Sequence, residues 1–251
     1  MNQAQKVDGI LLVDKPKGFT SHDIVSIARG ALGTRKIGHC GTLDPNATGL
    51  LVLVVGIATR FSSHLTGSEK CYEGVIRLGA TTSTYDAEGE VLDERPVPDL
   101  SLDDIRKASE VFTGEIQQIP PMVSAIKKDG VPLYKLARKG VEIERESRTV
   151  TISRLDIEKY EKPDVTFTVD CSKGTYIRSL AFDLGEKIGC GAHLLDLRRT
   201  RSGKFTIENA VEGSSLKTIP REEARSRLMT IEQLLQIYSP SELKAAVGKQ
   251  S

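Results

Sequence analysis

Residues 10–13 form a short apolar run closed by Asp14-Lys15-Pro16-Lys17-Gly18, which predicts a strand followed by a turn. Thr20 with Asp23 three residues on has the form of a helix N-cap, and Ile24, Ala28, Ala31 and Leu32 recur at helical spacing until Gly33 offers a stop. Periodicity then disappears over 35–49, where Gly38, Gly41, Pro45, Asn46 and Gly49 mark a structured loop that feeds the apolar strand 50–55. In 70–78, Tyr72, Ile76 and Leu78 fall on one side with Glu73 and Arg77 on the other, as in a half-buried strand. Ser101 with Asp104 resembles a second capping box. The helix through Ile105, Ala108 and Phe112 is expected to close at Gly114, before Gln117-Gln118-Ile119-Pro120-Pro121 breaks any helix. Residues 122–148 are polar, basic and weakly periodic, and read as an insertion projecting from the core.

Val165, Phe167, Val169 and Cys171 alternate with polar residues in the clearest strand of the chain. Ser172-Lys173-Gly174 turns it into a helix that carries Ile177, Leu180, Ala181, Leu184 and Ile188 on one face and ends at Gly189. Residues 212–227 read as a loosely structured connection, and Ile231, Leu234 and Leu235 make a last amphipathic helix. Strands and helices mix irregularly, so the pattern predicts α/β or α+β with a mixed sheet. The sequence shows no internal repeat and no low-complexity segment.

Composition narrows this picture. With 251 residues, 39% hydrophobic and 27% charged, the chain is ordinary for a globular protein, which excludes disordered, collagenous and membrane-spanning classes. Its longest uninterrupted apolar run is the six residues 50–55, against the ~20 a membrane helix needs. The polar start lacks the layout of a secretory signal, so a cytoplasmic location is expected. Cys40, Cys71, Cys171 and Cys190 are widely spaced with no Cys-x-x-Cys pair, which predicts free buried thiols rather than zinc or disulfides. Thirty-five basic against 34 acidic residues leave only the charge distribution to read. Residues 127–154 hold eight basic side chains against four acids, and Arg198, Arg199, Arg201 and Lys204 follow one another with no acid between. On charge alone, such runs read first as solvated faces.

The most unusual stretch is Gly38-His39-Cys40-Gly41-Thr42-Leu43-Asp44-Pro45-Asn46-Ala47-Thr48-Gly49, a glycine-punctuated loop with a single acid. Catalytic residues concentrate in such loops, but Asp44-Pro45-Asn46 also has the chemistry of a plain turn. No Gly-Lys-Ser or Gly-Lys-Thr follows the glycines, so a phosphate-binding P-loop is excluded. His39 shares no ligand spacing with His22, His64 or His193 and reads as a hydrogen-bonding or stacking residue. Arg178, one turn into an apolar-faced helix, calls for a carboxylate partner.

Taken in order, Asp14-Lys15-Pro16, the 38–49 loop, Lys70-Cys71-Tyr72, Ile119-Pro120-Pro121, Ser172-Lys173-Gly174-Thr175-Tyr176-Ile177-Arg178 and Gly191-Ala192-His193 through Leu197-Arg198-Arg199 resemble the bacterial tRNA pseudouridine synthase B (TruB) family over about residues 8–205. The resemblance implies an α+β pseudouridine synthase fold: a mixed central sheet flanked by helices, with a catalytic cleft and a basic thumb-like insertion at about 120–150. The implied reaction isomerises the uridine at tRNA position 55, in the T-loop, without cofactor or metal. Asp44 matches the catalytic aspartate, acting as nucleophile at C1′ or as the base that gives a glycal. Arg178 matches the residue that pairs with that aspartate. Tyr72, implied to stack on the uracil and help remove the C5 proton, joins Tyr176 and Leu197 in the pocket. His39 fills the space the flipped base leaves, and Lys15 shapes the cleft or meets phosphate. Lys135, Arg138 and Lys139 are implied to grip the RNA backbone.

Residues 1–209 are thus expected to form the catalytic domain and 210–251 a short tail with one helix, where longer members carry a PUA-like RNA-binding module. Cys40 stands where many relatives have threonine. The partner is tRNA through its T-stem loop, with no membrane, no obligate protein partner and a monomeric state expected. Two other functions compete: an RNA chaperone that refolds tRNA with catalysis secondary, and an rRNA-directed synthase of a guide-RNA particle, whose known relatives are longer.

Overall fold

A computed structural model describes residues 7–124, 127–128, 131–132 and 145–244. In chain order the strands are β1 (Gly9–Lys15), β2 (Ile37–His39), β3 (Thr48–Val55), β4 (Lys70–Leu78), β5 (Ala80–Thr82), β6 (Val91–Glu94), β7 (Gly114–Gln118), β8 (Lys127–Lys128), β9 (Val131–Pro132), β10 (Arg148–Glu161), β11 (Asp164–Cys171), β12 (Ala192–Ser202), β13 (Phe205–Thr206) and β14 (Val211–Glu212). Helices Ser21–Leu32, Ser62–Thr66, Leu102–Ser109, Ile177–Ile188, Arg221–Ser226, Ile231–Ile237 and Pro240–Lys244 complete the described α-helices. The class is α+β with a mixed sheet, as the resemblance implied. Among the described residues no helix is long and apolar enough to cross a membrane.

The chain divides into two compact units: residues 1–71 with 198–251, and residues 72–197. It crosses between them within β4 and within β12. In the first unit the order is β14-β1-β3 followed by the C-terminal half of β12, with β2 on β3 and β13 on β12. β1 runs antiparallel to β3, Lys15 facing Gly49, while β14 and β12 add parallel pairs at either side. Every residue of β3 after Thr48 is buried, which explains its unbroken apolar reading: a strand covered on both faces has no polar side. Gly49 sits at φ +99, and a Cβ there would lie 2.3 Å from the Arg199 carbonyl oxygen, so no other residue fits.

The helix Ser21–Leu32 carries the expected capping box of Thr20 and Asp23 and ends on left-handed Gly33. The Ser101–Asp104 box is present as well. That second helix ends at Ser109, however, and passes through a 3-10 turn at Glu110–Phe112. Gly114, expected as its stop, instead opens β7 at φ +96.

In the second unit the N-terminal half of β12 continues into β4, β11, β10 and β7, and β5 pairs with β6. Two of these strands, β7 and β10, carry no clear sequence signal. In β10, Val150 and Ile152 face the core at even positions, a register shift follows before Arg154, and Ile157 then points inward at an odd position. A β-bulge reverses the side-chain phase, so strict alternation fails along one continuous strand.

The segment 212–227 is packed rather than loose. Val211 and Glu212 extend the sheet beside β1, Leu216 and Ala224 are buried, and Arg225 Nε donates to the Leu32 carbonyl at 3.2 Å. Leu234, Tyr238 and Leu243 join the core of Ile10, Leu12, Leu50, Val52 and Val54. Tyr238 anchors this end: its ring meets His64 edge-on at 5.3 Å, and its hydroxyl accepts the Lys204 backbone N–H at 2.9 Å. Tyr238→Phe keeps the packing and orphans that donor, so a loss of about 1–2 kcal/mol is expected in urea unfolding. Stability equal to wild type would refute the anchoring role.

Candidate active site

Asp44 lies in the turn between β2 and β3, in the first unit, with its side chain partly exposed. The Ala47 N–H donates to the Asp44 carbonyl at 3.1 Å, and Pro45 fixes φ inside the turn. The flanking peptides are held from outside the loop. Ser21 Oγ donates to the Leu43 carbonyl at 3.1 Å and accepts the Leu43 N–H at 2.9 Å. The Pro45 carbonyl accepts the Gly18 N–H at 2.9 Å and Lys15 Nζ at 3.1 Å. Arg199, 1% exposed, donates to the carbonyls of Leu50 at 2.7 Å and Gly41 at 3.1 Å. The loop is therefore both a turn and a mount that presents one carboxylate in a fixed place.

Lys15 is expected, from the resemblance, to shape the cleft or meet phosphate. It is 0% exposed, and its ammonium donates to the carbonyls of Phe19 at 2.7 Å, Pro16 at 3.1 Å and Pro45 at 3.1 Å. A buried ammonium requires such partners, and here they set the path of the loop beside Asp44. His39 is half-buried, and its Nδ1 is buried without a hydrogen-bond partner. Burial, then the nearby charges of Arg199 and His22, lowers its pKa, so the ring is neutral at neutral pH. A neutral, half-buried ring suits stacking. Burial likewise pushes the neighbouring Cys40 thiol up to about 11, which leaves it protonated and unreactive.

The second unit holds Tyr72, Tyr176, Arg178 and Leu197. Tyr72 in β4 and Leu197 in β12 are buried on adjacent strands, where the chain enters and leaves this unit. Tyr176 caps the helix Ile177–Ile188 in an extended conformation. Arg178 is 4% exposed; it donates to the carbonyls of Thr84 at 3.0 Å and Val123 at 2.9 Å, and its Nε lies 3.5 Å from Asp86 Oδ2. Asp86 is the carboxylate partner its buried position calls for within this unit. The Asp86 carboxylate is itself oriented by the Thr84 hydroxyl at 2.5 Å and the Glu88 N–H at 3.0 Å. Lys135, Arg138 and Lys139 lie outside the described residues.

Comparison with known proteins fixes the family. The model of the TruB family pseudouridylate synthase N-terminal domain matches residues 29–177, and that of the tRNA pseudouridylate synthase B C-terminal domain matches 178–242. Proteins named tRNA pseudouridine synthase B are 48% identical in Opitutus terrae, over 91% of this chain and 95% of that protein, and 50% identical in Burkholderia mallei, over 96% and 80%. The chain belongs to the TruB family of pseudouridine synthases. Among solved structures, that of a Cbf5-Nop10-Gar1 complex matches with a TM-score of 0.70 at 31% identity, over 92% of this chain and 62% of that one.

Besides the Asp44 loop, the structure brings out residues that no sequence motif marks. Asp86, in Thr84-Tyr85-Asp86-Ala87-Glu88-Gly89, carries only the weak signal of an acid in a glycine-ended turn. Ser21 and Gln118 carry none. The 198–204 basic run is a solvated face only in part: the Arg198 and Lys204 side chains are 40% and 48% exposed and Arg199 is buried. Arg198 pairs with Asp14 at 2.6 Å, Arg199 is buried against carbonyls, and Lys204 pairs with Glu242 at 2.9 Å.

One group on the helix that carries Arg178 titrates unusually. Burial, reinforced by Glu186, pushes the Asp183 carboxyl up to about 6. The folded protein thus holds this proton more tightly than the unfolded chain does, so the stability it contributes is full at low pH and declines as pH rises toward 6. Asp183→Asn, always neutral, is expected to gain stability over wild type at about pH 8 and much less at about pH 4.5. An equal difference in urea melts at both pH values would refute the assignment.

Proposed function

We propose that the chain isomerises uridine to pseudouridine in tRNA, at position 55 of the T-loop, with Asp44 as the catalytic residue. The observation that carries this reading is the mounting of Asp44: a single acid in a turn whose peptides at Gly41, Leu43 and Pro45 are held by Arg199, Ser21 and Lys15. Breaking the bond from uracil N1 to C1′ develops positive charge on the sugar, and a carboxylate fixed near that carbon can trap or deprotonate it. Fixing the group beforehand removes part of the ordering cost from the reaction itself.

Uracil then rotates and C5 bonds to C1′; C5 loses its proton while N1 gains one. Substrate and product are isomers, so the step needs no net oxidant or reductant. Keeping the detached base in place calls for apolar and aromatic walls, which Tyr72, Tyr176 and Leu197 supply. Arg178 has its guanidinium already ordered by two carbonyls and Asp86, which suits it to keeping a carboxylate ionised. The target is folded into the T-loop and is extruded before reaction; the neutral ring of His39 takes the space it leaves. Lys135, Arg138 and Lys139 grip the phosphates of the T-stem loop.

Tritium release from a tRNA transcript labelled at uracil C5 tests the reaction. Wild type is expected to release about one equivalent per tRNA, and none when the target uridine is replaced by cytidine. Asp44→Asn is expected to abolish release while tRNA affinity stays within about three-fold. Turnover near wild type in that variant would remove Asp44 from the mechanism. Binding without any release by wild type would favour a chaperone.

Phosphate contacts are read separately. Replacing Lys135, Arg138 and Lys139 together by alanine is expected to weaken tRNA binding and flatten the dependence of log K on log salt by about two to three units, near one per lost contact. An unchanged slope would show that these side chains do not touch the backbone.

A further inference from the structure

Gln118 ends β7 and has no exposed surface. Its side-chain amide meets both polar groups of a backbone 58 residues further on: Oε1 accepts the Tyr176 N–H at 2.8 Å, and Nε2 donates to the Tyr176 carbonyl at 3.0 Å. One side chain thus does the work of a partner strand at a single residue. That residue is the one between the 172–175 turn and the helix Ile177–Ile188, and it carries no side-chain cap of its own.

Two further bonds join the same segments. Ser179 Oγ donates to the Ile119 carbonyl at 2.8 Å, and Arg178 donates to the Val123 carbonyl at 2.9 Å. Gln118 faces Arg148 across β7 and β10, so the stretch 119–147, which holds Lys135, Arg138 and Lys139, leaves and rejoins the sheet at this point. The root of the basic insertion is therefore bonded directly to the segment that bears Tyr176 and Arg178.

We propose that Gln118 is a positioning residue: it sets Tyr176 against the substrate base, and with Ser179 it ties the placement of Tyr176 and Arg178 to the root of the insertion. This rests on the reading of Tyr176 as a wall of the uracil pocket. At neutral pH an uncharged amide of this length supplies a donor and an acceptor to one peptide at once. A carboxylate would set an oxygen against the Tyr176 carbonyl, and a thioether would fill the volume with neither bond. Groups that hold a reacting partner within a fraction of an ångström act on turnover more than on binding.

The test is a kinetic cycle on tritium release from tRNA labelled at uracil C5, with Gln118→Met, Tyr176→Leu and the two combined, alongside Gln118→Glu followed over pH. Gln118→Met is expected to lower kcat by about ten- to a hundred-fold with KM within about three-fold. On a Tyr176→Leu background it is expected to add less than about two-fold, because its effect passes through Tyr176. Gln118→Glu is expected to gain activity relative to wild type as pH falls, since the protonated carboxyl restores donor and acceptor together.

An unchanged kcat in Gln118→Met, a loss that appears in KM, or a loss that multiplies in full with Tyr176→Leu overturns the proposal while leaving the pocket reading standing. Full kcat in Tyr176→Leu overturns both. If Gln118→Met does not fold, Gln118→Glu decides: activity equal to wild type at every pH overturns the proposal.

Discussion

A lysine ammonium with no exposed surface constrains the first unit more than any other group in it. Taking that charge out of water is unfavourable by several kcal/mol unless its donors are met. Lys15 meets them with carbonyls of Pro16, Phe19 and Pro45. The end of β1, the entry to the first helix and the loop before β3 must therefore converge on one point. Lys15 also faces Gly49 across the β1–β3 ladder, which sets where β3 begins. Arg199 repeats the arrangement from the other side, with Leu50 and Gly41 as its acceptors. Asp44 sits in the span that these two cations hold. Its position follows from backbone carbonyls, groups that no point substitution can remove, so the loop is ordered by the fold itself.

The second unit reaches rigidity by neutral and paired groups. Gln118 bonds one peptide at both ends, Ser179 and Arg178 bond carbonyls of the 119–123 segment, and Asp86 closes the set as the carboxylate for Arg178. Gln118, Ser179 and Arg178 each meet a partner from a distant part of the chain, the condition under which such networks specify one arrangement. The two strategies divide by unit: buried cations on backbone carbonyls hold the Asp44 loop in the first, and a neutral amide with a paired arginine holds the segment of Tyr176 and Arg178 in the second.

The parts of the fold that were legible in the sequence are those built on a short, unbroken pattern. The Thr20–Asp23 box, the buried run of β3, the alternation of β11 and the apolar face of Ile177–Ile188 each lie within a window where one period holds. β10 was not legible because its bulges reverse phase, and β12 was not because Arg198 and Arg199 stand where an apolar pattern would be sought. The site divides in the same way. Asp44 stands out as the one acid of a glycine-rich loop, and family motifs mark Tyr72, Tyr176 and Arg178. Asp86, Ser21 and Gln118 do their work through bonds to residues 22 to 92 positions away, and no local pattern carries that information.

Charge shows the difference between counting and placement most clearly. The run Arg198, Arg199, Arg201 and Lys204 has the composition of a phosphate-binding patch, yet Arg198 and Lys204 face acids and Arg199 and Arg201 donate to carbonyls of their own chain. Guanidinium suits this use, because five donors in a plane can satisfy several carbonyls at once while the methylene stem packs among apolar neighbours. Arg145 and Arg154, within the basic stretch 127–154, are spent the same way, on the Pro120 carbonyl and on Asp170 and Asp156. Whatever positive field the surface carries comes from the cations left after the fold has taken its share, and near-neutral net charge says little about its strength.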